Sequence, residues 1–350
     1  MRRTKTLLAA LTVAACLPYL ALKLTWLSGG TTGIPEGSTL RDSGDTLWVL
    51  NAVTVAMDAT VVLLVFALTR AWGRRLPAAL LALPLWAATG LLGPIVVAFP
   101  AQALYGAVSG ADSTGGVRGT DAADMLDGWV WTVVYTGFSV QALALGGLFV
   151  LYVRDRWGTL LRTRLGALPV PPRVRAIWRP AFAAGALLAL ASAVPHLLWA
   201  VGAGADVGPC PTRGAEQSAD SRLVEGAFAL FTLVAVAGLR QLTRGNPQLT
   251  PGETGRRSPR LGMPLAAAWI GTGVMTCWAL WLLVGALTGG GRAVGQRASG
   301  CTELVTTGQL VAGLLLTLLG AHALRQRANA SGTAQDRTAP DRTGGGDVTV

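Results

Sequence analysis

The sequence predicts an all-α fold, a polytopic membrane bundle of about eight transmembrane helices. Three observations carry that prediction. Only 13% of the 350 residues are charged, about half the share usual in soluble proteins. The apolar residues, 51% of the chain, gather in blocks of roughly 20, the length that crosses the hydrocarbon core of a bilayer. The net charge of +11 is sorted by loop rather than spread along the chain. A soluble enzyme, a disulfide-rich secreted domain and a disordered chain are excluded by this composition.

The spans fall near residues 7–27, 47–69, 77–99, 129–152, 181–202, 223–239, 264–287 and 304–324. In the first, Met1-Arg2-Arg3-Thr4-Lys5 and Val13-Ala14-Ala15-Cys16 imitate a signal peptide with a lipoprotein box. A cleaved signal would turn polar after about 7–15 apolar residues. Here the apolar run continues to Leu27, so an uncleaved span is expected. The N-tail, alternate loops and C-tail hold 22 basic residues, while the four opposite loops hold six, with eleven acids. Basic loops stay in the cytoplasm, which places both termini there and the chain in the cell membrane. Basicity is thus a topology signal, and no nucleic-acid partner is expected. Lysine occurs only at positions 5 and 23, an arginine bias that points to a GC-rich bacterial genome.

Short resemblances suggest a parallel repeat of four helices plus four. Cys16-Leu17-Pro18-Tyr19 in the first span parallels Ala193-Val194-Pro195-His196 in the fifth. Trp86 through Gly90 in the third matches Trp269 through Gly273 in the seventh. Thr136-Gly137 through Arg156 overlies Thr307-Gly308 through Arg327 without a gap. An even number of spans per unit makes such a repeat parallel. The division expected is a first membrane half at 1–153, a basic cytoplasmic linker at 154–180, a second half at 181–327, and a disordered tail at 328–350. Seven arginines in the linker, with Trp157 and Trp178 at headgroup level, would meet anionic lipid.

Polar residues inside the spans are the functional pointers, because each is costly in hydrocarbon. Asp58 lies about 16 Å into the second span, at about 1.5 Å per residue, with no basic neighbour on its own helix. It is read either as a proton- or cation-handling group or as a packed, hydrogen-bonded carboxyl. Lys23, Asn51, Gln141, His196 and Glu225 complete a candidate polar cavity, with Tyr135 and Gln309 nearby and a Lys23–Glu225 ion pair between the halves. Pro18 and Pro195 each free a backbone carbonyl, at Ala14 and Ala191, that could line such a cavity.

Cys210 and Cys301 fall in loops on the exterior side, where a disulfide is expected. Asp121, Asp124 and Asp127 precede the fourth span and suit helix capping. No metal or cofactor is expected, since no CxxC, HExxH or GxSxG pattern occurs, and Gly289-Gly290-Gly291 lacks the Lys-Ser/Thr of a phosphate loop. Enzymatic chemistry is unsupported by any motif; a membrane-embedded enzyme using Asp58 and His196 as an acid–base pair is the third reading. The leading expectation is small-solute or ion transport coupled through Asp58. The alternative is a non-catalytic scaffold, sensor or accessory subunit.

Overall fold

The computed structural model describes residues 2–41, 44–110, 125–168, 170–203, 219–244, 259–287 and 300–337. Among these, eight helices are long and apolar enough to cross a membrane. They are α1 (Arg2–Leu27), α2 (Gly44–Thr69), α3 (Ala78–Ser109), α4 (Gly128–Arg162), α5 (Pro172–Ala200), α6 (Ala219–Thr243), α7 (Gly262–Leu287) and α8 (Gly300–Arg337). At about 1.5 Å per residue the shortest is some 38 Å long, more than the hydrocarbon core requires. Their outward faces carry exposed Leu83, Leu143, Leu187 and Leu318, a surface that water disfavours and lipid tails accept. The chain is a multi-pass membrane bundle.

Packing follows a consistent plan. Helix α1 lies against α2 and α4, and α3 against α4, whereas α2 touches α3 and α4 only sparingly. Helix α6 packs along α5 and α7, and α8 closes onto α5 and α7. The two sets of four meet where α3 lies on α7 and α6. Small residues set that meeting. A Cβ placed on Gly90 would stand 2.3 Å from the Gly273 carbonyl oxygen, so the two backbones touch. On either side Trp86 Nε1–H points to Thr272 Oγ1 at 3.4 Å, and Trp269 Nε1–H to Thr89 Oγ1 at 3.4 Å. Each Trp therefore reaches the Thr that follows the other Trp by three residues.

The arginine-rich end of the bundle departs from expectation. Residues 154–162 continue α4 as helix, with a kink at Trp157, where φ is −130° and ψ 20°. A 3-10 turn (Leu165–Ala167) follows, and α5 starts at Pro172, so the connection at 154–180 consists of two helix ends joined by a short turn. Trp178 is 1% exposed, packed among Val174, Leu319 and Ala323 rather than held in the headgroups. Helix α8 likewise runs on to Arg337, past Ala328 where a disordered tail is expected. Propagating an existing helix adds one hydrogen bond per residue without a new nucleus, and Ala328 and Ala330 favour it.

Arg327 explains part of this order. It is 1% exposed and donates to the backbone carbonyls of Leu242, Arg244, Leu165 and Leu168 at 2.8–3.2 Å. One planar fork thus caps the end of α6 and the turn after α4 together. Nearby, Leu165 N–H bonds to Pro259 O and Leu261 N–H to Thr163 O, each at 3.0 Å. At the same end Arg156, aligned with Arg327 in the sequence, reaches Leu76 O at 3.4 Å.

Candidate functional site

The residues expected to line one polar cavity form two separate clusters, one in each set of four helices. In the first, Asn51, Thr54 and Asp58 fall at i, i+3 and i+7 of α2 and so share a face. Tyr19 and Lys23 stand one turn apart on α1, and Gln141 comes from α4. Lys23 Nζ donates to Asn51 Oδ1 at 2.8 Å and lies over the rings of Tyr19 and Trp26, 4.8 and 4.9 Å from their centres. These contacts hold an ammonium in apolar surroundings without a direct carboxylate partner. Deeper in the seam, the Gln141 side chain is hydrogen-bonded to the Asp58 carboxyl, and the Lys23 charge acts on that carboxyl through space. Tyr19 meets Phe138 edge to face at 4.9 Å beside them.

This seam is buried yet incompletely paired. Asn51 is 1% exposed, Gln141 3% and Asp58 4%. Even so, Asn51 Nδ2, Gln141 Oε1 and Asp58 Oδ2 have no hydrogen-bond partner among the described residues. A buried polar atom without a partner costs about 1–3 kcal/mol, so three in one seam is a large standing deficit. Among the described residues no three His, Cys, Asp or Glu side chains gather as a metal-ligand set. One carboxylate oxygen and one neutral amide oxygen left open suit a proton, a water molecule or a monovalent cation better than a divalent ion.

The second cluster joins α5, α6 and α8. His196 Nδ1 lies 2.5 Å from Glu225 Oε2, and its Nε2 lies 2.9 Å from Gln309 Oε1. Trp199 and Phe228 flank the imidazole, their ring centres 5.5 and 5.4 Å away. Glu225 therefore pairs within its own half, and the expected Lys23–Glu225 ion pair between halves does not form. Asp58 and His196 belong to different seams, which removes the basis for an acid–base couple. Tyr135 stacks with Trp131 and Phe99 at 5.7 and 5.9 Å, an aromatic contact on α4 and α3.

Other expectations resolve as follows. Cys301 stands in the first turn of α8, while Cys210 lies outside the described residues, as do Asp121, Asp124 and Gly289-Gly290-Gly291. Cys16 and Cys277 are buried and free. Asp127 occupies the N-cap of α4 but makes no side-chain capping bond; its backbone N–H is tied to Gly33 O at 3.0 Å. Between the two sets of helices lies an apolar crevice of about 290 Å³, with Leu85, Leu92 and Val97 of α3 facing Leu143 and Phe149 of α4 and Phe231 of α6. No charged group lines it, so it offers shape without chemistry.

Sequence reasoning missed three participants. Thr54 and Tyr19 carry no signal except their helical spacing to Asp58 and Lys23. Arg327 looks like one more tail arginine; its alignment with Arg156 was the available signal. Compared with protein-family models, with curated proteins and with solved structures, the chain matches none of them.

Proposed function

We propose that this protein is a multi-pass transporter of a small solute or ion, coupled to proton or monovalent-cation occupancy of Asp58. One observation carries the reading: a mid-span carboxyl that is 4% exposed keeps one oxygen without a partner among the described residues, in the same seam as an unpartnered amide oxygen of Gln141. Water or a cation entering the seam relieves both. Lys23 and Asn51 lie toward the end of the bundle opposite the arginines and form the approach. The arrangement of basic loops supports a cytoplasmic arginine-rich end, with both tails on that side and anionic lipid against it. The matched Trp–Thr contacts support a parallel repeat of 1–153 and 181–327.

The seam lies inside the first four helices, away from the α3–α7 contact. Movement at the site therefore belongs to α2, which carries Asp58 and touches α3 and α4 only sparingly, rather than to a rocking of the halves. Proteoliposomes holding the full chain test this, with proton movement followed by an internal dye and sodium or potassium by isotope. Wild type should carry one of these ions, and Asp58→Asn, folded to the same degree, should lose at least about tenfold of the flux, the weight of one pairing energy of about 1.4 kcal/mol. Equal flux in the two proteins, or none in wild type, overturns the reading.

A second reading has its own support. The Gly90–Gly273 approach and the reciprocal Trp–Thr contacts fasten α3 to α7 closely, as a rigid scaffold or accessory subunit requires. Co-purification with one partner in fixed ratio, together with absent ion flux, would select it. Neither reading assigns the protein a catalysed reaction.

A further inference from the structure

We infer that His196, Glu225 and Gln309 form a second site, specific for a proton, whose occupancy latches the end of α5 remote from the arginines onto α8. The inference does not depend on Asp58. It starts from the fact that both ring nitrogens of His196 face oxygens, Glu225 Oε2 at 2.5 Å and Gln309 Oε1 at 2.9 Å. A neutral imidazole has one N–H and one lone pair. Two oxygens at hydrogen-bond distance therefore require two protons. One sits on Nε2 and is donated to Gln309. The other lies between Nδ1 and the carboxyl, whether written as imidazolium with carboxylate or as imidazole with carboxylic acid. Both forms contain the same protons and leave the cluster neutral.

Loss of the shared proton changes the contact. It passes to water at that end of the bundle, and the cluster goes from neutral to a charge of minus one. The one N–H left on the ring then serves the carboxylate from Nδ1, and the Nε2 lone pair faces Gln309 Oε1 across a distance that only a hydrogen bond tolerates, in a buried setting that magnifies the repulsion. Relief requires the Gln309 amide to turn or α5 to part from α8. The ring itself is held by Trp199 and Phe228, which flank it. Parting is eased by Pro195, which removes the bond from residue 195 to the Ala191 carbonyl and loosens the turn that bears His196. Past that turn, Gly202 at a φ of +76° ends the segment.

Among the described residues, few other charges lie at this end of the helices. On α6 Asp220 stands in the first turn, and the Arg222 guanidinium packs on Gly202, where a Cβ would lie 2.8 Å from its Cζ. On α8 Glu303 is exposed, and α5 carries its other charges, Arg173, Arg175 and Arg179, at the opposite end. Helices α3 and α7, packed against α6, contain no charged residue. Among the described residues of this region, the His196–Glu225 couple is therefore the buried group whose protonation changes the local charge.

The chain has two histidines, His196 and His322, so nitrogen NMR of labelled imidazole in the full-length His322→Gln protein, held in lipid nanodiscs, reports His196 alone. As the pH is raised, its signal should pass from a hydrogen-bonded, proton-rich form to a neutral ring. Glu225→Gln should displace that transition. Hydrogen exchange in 195–203, corrected for its intrinsic pH dependence, should rise at least about tenfold through the same transition, the worth of one hydrogen bond to a charged group. A transition indifferent to Glu225→Gln overturns the proposal. So does wild-type exchange in 195–203 that stays level across it, a result that needs no variant to fold.

Discussion

Gly90 of α3 and Gly273 of α7 meet backbone to backbone, with space for no atom between them. Dispersion and close approach hold membrane helices together where hydrophobic driving force is absent, so this contact concentrates the attachment of the two sets of four helices. Gly90→Ala should lower stability by about 1–3 kcal/mol through overpacking. Gly146→Ala, whose Cβ would meet nothing within 4 Å, should be neutral or raise stability by up to about 1 kcal/mol through helix propensity. Thermal unfolding of both in one detergent checks the contrast; equal midpoints would remove the close contact from the account.

Arg327 offers a second test. Its fork serves four backbone carbonyls. Arg327→Met should cost several kcal/mol, since a hydrogen bond to a charged group contributes about 1.5–3 kcal/mol and the carbonyls are left unpaired. Arg327→Lys should recover only part, because a lysine cannot span the same acceptors. Exposed Arg325→Met should change little. Unfolding midpoints of the three variants decide the matter, and an unaffected Arg327→Met would show that the fork adds nothing.

These contacts also show what the sequence made legible. The eight spans could be read because apolar blocks of bilayer length are separated by loops of opposite charge balance. The Trp and Gly placements of the third and seventh spans stood out for the same reason that they pack: only small residues let two helices touch, and an indole needs a nearby acceptor. Partner choice was hidden. Lys23 and Glu225 lie at similar depth and opposite charge, and depth alone joins them. The structure turns Lys23 toward Asn51 and the rings of Tyr19 and Trp26, and Glu225 toward His196, because each side chain faces the core of its own bundle. Helix ends beyond the lipid were hidden too, since hydropathy falls at Arg154 and Ala328 while backbone hydrogen bonding does not.

Lys23 and Asp58 should be energetically coupled. Lys23→Met leaves a carboxyl without its nearest positive charge, and Asp58→Asn leaves an ammonium without its nearest negative one. The double variant should be more stable than the sum of the singles by about 0.5–3 kcal/mol, the usual range for neighbours that share an interaction. Denaturation of the four proteins in one lipid mixture measures this, and simple additivity would show that the charges do not sense each other.

The pairing of Cys210 with Cys301, which we propose for the exterior side, has a direct check. Trypsin cuts between them at Arg256 and Arg257. If the bridge is present, the two fragments migrate together until reductant is added, and Cys301→Ser separates them without it. Separation of the wild-type fragments in the absence of reductant would refute the bridge.

The nearness of an ammonium to the mid-span carboxyl has an electrical consequence. A membrane potential does work of about 2.3 kcal/mol per elementary charge per 100 mV. Lys23 and Asp58, both ionised and displaced together, present no net charge to that field. A step that shifts α1 and α2 as one body is then indifferent to voltage, while a step in which Asp58 alone takes up a cation is driven or opposed by it. Current–voltage curves thus report which kind of step limits turnover.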